Sequence, residues 1–351
     1  MLMHKYLRSQ YVGKEKVSIV EKCLRELNDY VSKFPEVIKI NIYLSGSFST
    51  GLACRNTSAL DIVVCMNGGQ LTDSLESDQL ALALLTGLQD STFLKKLEPV
   101  GNGTGMITCT TSDGSLSVCM RVCKPNSIPV TNLFHSRLFA SYALMDPAVP
   151  AFVCLIKDWA LQSGFSSPSN IPESVLSGFH WTCITLHFLV ESEFLPNLHI
   201  ARSPKSTTLQ YGPRSDRDCF VIVEDKPVPL QMLEDLNGRN VAVKHLLVNF
   251  FHWLSHTDLL DICICMQGSG THNIPNPTKG WIFIADPTRP GLVNTVNPFL
   301  LQRDQVIFAM KLQREALRVF QAIMSRDERV VAATLSARPG CHKVMVDKAV
   351  P

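Results

Sequence analysis

The sequence predicts an α+β protein, with a small mixed sheet followed by a mainly helical second domain. Three observations predict it. Four short runs rich in Val, Ile and Thr, separated by turn signals, lie between residues 37 and 122. From about residue 133 the apolar residues recur at helical spacing over long stretches instead. A chain of 351 residues, 46% hydrophobic and 18% charged, can build about two packed cores. The expected division is a sheet domain over residues 34–132 and a helical domain formed by 1–33 with 133–326, followed by a mobile tail over 327–351.

Residues 14–33 place Val17, Val20, Leu24, Leu27 and Val31 on one helical stripe, and Pro35 ends the helix. Val37–Leu44 reads as a buried strand, Ser45-Gly46-Ser47 as a tight turn, and Leu60–Met66 as a second strand. Residues 78–98 look helical. Met106–Thr111 and Ser115–Val122 flank Ser112-Asp113-Gly114, a hairpin signal. Ala151–Ser163, Val175–Glu191, Val241–Leu254 and Asp304–Met324 have helical periodicity. The last sets Val306, Met310, Leu317, Phe320 and Met324 close to one stripe. Cys219–Val223 and Trp281–Ala285 read as short strands.

Composition narrows the partners. With 33 Lys+Arg against 31 Asp+Glu the net charge is +2, so RNA contact requires a local basic patch. Arg202, Lys205, Arg214 and Arg217 offer one, and a solvated loop explains them equally well. The 12 cysteines include no CxxC pair, and they read as small core residues in a reducing compartment. His252 and His256 could ligate a metal at their spacing of four, but a satisfied pair is the simpler reading. No apolar run reaches the roughly 18 residues of a membrane helix. Met1–Arg8 lacks a secretory apolar region, so an intracellular protein without a membrane partner is expected, in cytoplasm, nucleus or mitochondrion.

The informative stretch is Tyr43-Leu-Ser-Gly46-Ser47-Phe-Ser-Thr-Gly51, followed by Ser58-Ala59-Leu60-Asp61-Ile62. A Gly-Ser turn after a strand presents backbone N–H groups and a hydroxyl to a triphosphate. Carboxylates at alternate positions of the next strand point to one face, where two metal ions can sit. These residues resemble the DNA polymerase β-like nucleotidyltransferases, and among them the terminal uridylyltransferases and related poly(A) polymerases. Further segments extend the resemblance over roughly residues 14–324: Ser136-Arg137 to Asp146-Pro147, Phe152 to Ala160, Val175-Leu-Ser177-Gly178-Phe179, and Ile282 to Asn294.

The resemblance implies a sheet-containing nucleotidyltransferase domain and a poly(A) polymerase-like helical domain. It also implies nucleotide contacts from Gly46, Ser47, Lys157, Phe179 and Asp286, with UTP or ATP and Mg²⁺ as the ligands to test. Lys157 is otherwise a solvated helix lysine, and Phe179 otherwise a core ring. The pattern fails at its carboxylates. Asp61 stands for the second, but Ala59 occupies the place of the first, and Cys119 that of the third. Asp113 falls in the hairpin turn, too early to serve. His135, Gly178, Ala285 and Asn297 also replace polar family groups.

A carboxylate about 4 Å from a dication, at an effective dielectric of about 20, contributes up to roughly 8 kcal/mol. Each ~1.4 kcal/mol of lost transition-state stabilisation is tenfold in rate. Loss of two such ligands therefore predicts a pseudoenzyme, with Asp61 a remnant metal ligand or a local cap. Such a protein would serve as a structural or binding component, with RNA or protein subunits as partners. Two alternatives stay open: an active RNA nucleotidyltransferase in which Ala59 is an inactivating substitution, and a module that holds nucleotide or an RNA 3′ end without chemistry.

Overall fold

The computed structural model describes residues 14–32, 39–54, 59–67, 75–100, 104–124, 130–166, 176–198, 206–209, 219–222, 240–266, 281–287, 293–295 and 302–325. The chain divides into two compact units. One comprises Gln10–Pro150 with Leu198–Asp235, the other Met1–Ser9, Ala151–Asn197 and Leu236–Pro351. This division differs from the expected one. Helix α1 (Lys14–Val31) buries Val20, Cys23 and Leu27 in the core of the sheet, so residues 14–31 belong to the sheet unit.

The first unit is built on a five-stranded mixed sheet. In chain order its strands are β1 (Lys39–Ser45), β2 (Leu60–Asn67), β3 (Leu94–Val100), β4 (Met106–Thr111) and β5 (Ser117–Cys123). They lie side by side as β1-β2-β5-β4-β3, and only β2 and β5 run parallel. Strand alternation sorts the side chains. Leu60, Ile62, Val64 and Met66 of β2, with Val118, Met120 and Val122 of β5, face the core. Helix α1 and helix α3 (Ser77–Leu88) cover that face, α3 through Leu80, Leu84, Leu85 and Leu88. On the opposite face Val63, Cys65 and Cys123 pack with Leu133 of helix α4 (Val130–Met145).

Two expectations change here. Val37–Leu44 reads as a buried strand, but β1 is an edge strand and mostly half-buried, with Tyr43 exposed. The helix expected over 78–98 stops at Leu88, and Leu94–Val100 is a strand. Ser91 makes the break: its Oγ accepts the Phe93 and Leu94 N–H groups at 3.2 and 2.9 Å. Its helix-like charge pattern is that of an edge strand, where Pro99 is tolerated and a bulge falls between Lys95 and Glu98. In the hairpin after β4, Asp113 Oδ1 accepts the Thr111 and Ser115 hydroxyls at 2.6 and 2.9 Å. These bonds hold its carboxyl down at about 2 and keep it in the turn, as expected.

The second unit is helical: α5 (Ala148–Gln162, from residue 151 on), α6 (Gly178–Glu191), α7 (Asn240–His256) and α8 (Gln302–Met324). Trp159 is fully buried, and its ring lies 5.6 Å from that of Trp181 and 4.8 Å from that of Phe251, both edge-on. Short strands β8 (Cys263–Ile264), β9 (Phe283–Ala285) and β10 (Val293–Thr295) form a three-stranded sheet in the order β10-β9-β8. In the first unit, β6 (Ser206–Leu209) pairs with β7 (Cys219–Ile222).

Helix α8 departs from its expected stripe. Its buried residues are Gln305, Ala309, Leu312, Ala316 and Val319, whereas Met310, Leu317 and Met324 are exposed. The buried side packs within the helical unit, with Phe320 against His252 of α7, and Met310, Leu317 and Met324 face away. Among the described residues no single helix is long and apolar enough to cross a membrane. Arg202, Lys205, Arg214, Arg217, Asn297 and the tail over 327–351 lie outside the described residues.

Candidate functional site

The strand register assembles the centre of the first unit. Ser45 of β1 pairs with Asp61 of β2, Asp61 with Cys119 of β5, and Cys119 with Thr108 of β4. These four residues form one row across the sheet. Cys119 therefore stands directly beside Asp61, on the same face. Ala59 is half-buried, immediately before β2 and two residues from Asp61, so an extended chain directs it to that face as well. Asp113 does not join this row.

The turn after β1 is shaped around Asp61. Gly46 has φ +65, and a Cβ there would fall 2.1 Å from Asp61 Oδ2. Only glycine combines that backbone conformation with so close an approach. Gly46–Ser49 forms a single helical turn, α2, closed by Ser49 Oγ donating to the Gly46 carbonyl at 2.8 Å. The turn does not present all its N–H groups outward. Gly46 N–H donates to Ser136 Oγ of α4 at 2.9 Å, and Ser136 Oγ also lies 3.3 Å from buried Ser45 Oγ. Nothing in the sequence around Ser136 marks it for this role. A serine some 90 residues away gives no local signal. Ser47 Oγ makes no hydrogen bond to a described residue.

Burial and charge set the chemistry of Cys119. Removal from water, and then the neighbouring Asp61 carboxylate, push its thiol up to about 11. It is a protonated, buried thiol at neutral pH, beside a single carboxylate. Farther along the same two strands Cys65 and Cys123 are also in register, with Sγ atoms 3.5 Å apart and buried. Hydrogen bonding to Cys123, with burial, raises the Cys65 thiol.

The remaining expected residues belong to the second unit. Lys157 of α5 is buried, only 8% exposed, which excludes the solvated-lysine reading. Its stem passes Gly178: a Cβ at that glycine would lie 3.4 Å from Lys157 Cε. Phe179 opens α6 and is 37% exposed, so it is not a core ring. Behind it His180 Nδ1 accepts the Ser177 N–H at 3.0 Å and closes a capping box. Burial lowers this imidazole to about 4. Asp286 follows β9, is 5% exposed, and its charge adds to burial in raising the Cys183 thiol of α6. The structure thus groups Lys157 with Gly178 and Phe179, and Asp286 with α6.

His252 and His256 pack against each other one turn apart on α7. Their rings lie 4.4 Å apart, and His256 Nδ1 is 2.8 Å from the His252 carbonyl oxygen. Among the described residues no three His, Cys, Asp or Glu side chains converge to hold a metal ion. Asp61 offers Mg²⁺ one hard carboxylate, and Cys119 a protonated soft ligand that Mg²⁺ disfavours. These residues do not fit a two-magnesium centre.

No protein-family model and no curated protein sequence matches the chain. Solved structures do. A Cid1 poly(U) polymerase structure with bound MgGTP superposes with a TM-score of 0.71 at 18% identity, covering 96% of this chain and 98% of that one. A cytoplasmic RNA terminal U-transferase gives 0.69 at 18% identity over 96% and 97% of the two chains. The GLD-2/RNP-8 complex gives 0.66 at 14% over 96% of each. Likeness of this extent, with its α+β architecture, shows that the chain has the fold of the terminal uridylyltransferases and poly(A) polymerases that its sequence resembles.

Proposed function

We propose that the chain is a catalytically inactive nucleotidyltransferase fold, serving as a structural or binding component of an RNA-processing or ribonucleoprotein assembly inside the cell. One observation carries the reading: Cys119 is the register partner of Asp61 and Ala59 precedes it on the same face, so one carboxylate stands where the family pattern needs three. A single carboxylate cannot bridge two divalent ions and also activate a 3′ hydroxyl. Gly46, Ser47, Lys157, Phe179 and Asp286 remain as the proposed nucleotide-facing set, with UTP or ATP as their ligands. The test is extension of a labelled RNA primer by purified protein with each NTP and Mg²⁺ or Mn²⁺. No extension is expected, and robust tailing ends the reading. If Ala59 alone silenced an active enzyme, Ala59→Asp would restore tailing; no gain is expected while Cys119 remains.

A second reading has its own support. The burial of Lys157 and the display of Phe179 favour a module that holds a nucleotide or an RNA 3′ end without chemistry. Thermal shift with UTP and ATP, with and without Mg²⁺, separates it from a pure scaffold. A shift that Lys157→Ala abolishes supports binding, and no shift at millimolar nucleotide leaves the scaffold.

A further inference from the structure

Helix α8 has two apolar faces, and the fold uses one. On the used face Gln305 Oε1 accepts the Ile282 N–H at 2.9 Å, and Gln313 Nε2 donates to the Thr257 carbonyl at 2.8 Å. Phe308 meets Phe165 edge-on at 5.5 Å, and Phe320 meets His252 at 5.2 Å. These contacts fix the rotation of the helix about its axis. Away from them stand Ile307 and Leu317, each 39% exposed, with Met310 at 58% and Met324 at 55%. Met310, Leu317 and Met324 are seven residues apart, the interval at which an α-helix returns to nearly the same side. They trace an apolar line about 21 Å long, at ~1.5 Å per residue, with Ile307 to one side of it and Arg314 and Gln321 between.

Charge identifies what fits the seam. Arg303, Lys311, Arg314 and Arg318 are exposed along it. Glu315 is bound to Arg318 by two nitrogens, at 2.8 and 2.5 Å. Arg303, Lys311 and Arg314 make no ion pair with a described residue. We infer that this face docks an amphipathic helix of a partner protein that carries Asp or Glu beside its apolar residues. Acidic residues of the partner would meet these basic side chains as opposite charges do across helix pairs. A second copy would set positive face on positive face. RNA gains nothing from a stripe of Met, Leu and Ile, and a strict seven-residue seam is narrower than the apolar face a bilayer-bound helix buries.

The test uses the full chain and a labelled synthetic peptide of about 24 residues, with Leu at seam positions and Glu at the flanking ones. Fluorescence anisotropy is expected to show saturable binding that weakens at least about tenfold in Leu317→Glu. The double variant Lys311→Glu/Arg314→Glu should lose this peptide and gain the one with Lys in place of Glu. All three sites are exposed, and circular dichroism with melting confirms each fold. Three outcomes overturn the inference: no saturation below about 1 mM peptide, binding indifferent to both variants, or absence of the charge swap. Loss in Leu317→Glu of self-association, of flotation with phosphatidylserine vesicles or of RNA binding, without peptide binding, reassigns the face to that partner and equally overturns it.

Discussion

Replacing Cys119 by aspartate puts a second carboxylate next to Asp61, and its effect follows from the register. The two positions are paired across adjacent strands, about 5 Å apart. At that separation and an effective dielectric of about 20, two carboxylates repel by roughly 3 kcal/mol. The wild-type thiol avoids this repulsion, because burial and Asp61 hold it protonated up to about 11. In chelator at pH 7, Cys119→Asp should melt about 6–12 °C below Cys119→Asn, which has the same shape without the charge. The gap should close below about pH 4, where both carboxyls gain protons. Millimolar Mg²⁺ or Mn²⁺ should narrow it at pH 7, because a dication attracts each carboxylate by up to roughly 8 kcal/mol at about 4 Å. Differential scanning fluorimetry on wild type and both variants reads all three effects. Equal melting of the Asp and Asn variants in chelator would show that Cys119 and Asp61 do not share a site, and would refute the proposed loss of metal ligation there.

Gly46→Ala should destabilise the protein by about 1–3 kcal/mol in urea titration, because φ is +65 and the added Cβ displaces the Asp61 carboxylate. In Gly46→Ala/Asp61→Ala the clash is gone, so the cost of the glycine change should shrink to the backbone part. His180 predicts a pH dependence with a definite sign. Its folded value of about 4 lies below the 6.5 of the unfolded chain, so the unfolded state takes up the proton first as pH falls. The contribution is complete above 6.5 and is lost between 6.5 and about 4, by at most about 3 kcal/mol. His180→Gln should remove that slope. Trp159→Ala should cost about 3–5 kcal/mol by chemical denaturation, since its ring is buried against Trp181 and Phe251.

What the sequence displayed depended on whether the signal was local. Gly46, Ala59 and Asp61 sit within one short motif, and their shared neighbourhood follows from strand alternation. Placing Cys119 beside Asp61 needed the parallel pairing of β2 with β5, for which the family resemblance substituted. The Ser136 hydrogen bond to Gly46 joins residues 90 apart, so no window along the chain contains it. Leu94–Val100 was misread because an edge strand with one buried face can carry as many charges as an exposed helix. Periodicity located α8 well but chose the wrong face. It detects that apolar residues align, and α8 has two such alignments; only packing decides which one is buried.

The persistence of Asp61 requires no catalysis. Its carboxylate occupies the space that any side chain at residue 46 would need, and the Gly46 N–H is tied to Ser136, which also meets Ser45. These contacts join β1, β2 and α4 at one corner, so Asp61 is part of how the turn is built. Ala59 and Cys119 then have a physical logic of their own. Three carboxylates on one face repel unless cations hold them, whereas a methyl group and a protonated thiol need no cation. On the proposed reading, a chain without phosphoryl transfer is more stable at that face with two fewer acids and gains nothing from removal of the third. The same reasoning separates the two candidate surfaces. On the proposed reading activity requires restored charge beside Asp61, whereas α8 already presents Met310, Leu317 and Met324 with basic residues at exposed positions. The surface of this fold that we propose to act without further change is therefore the exposed side of α8.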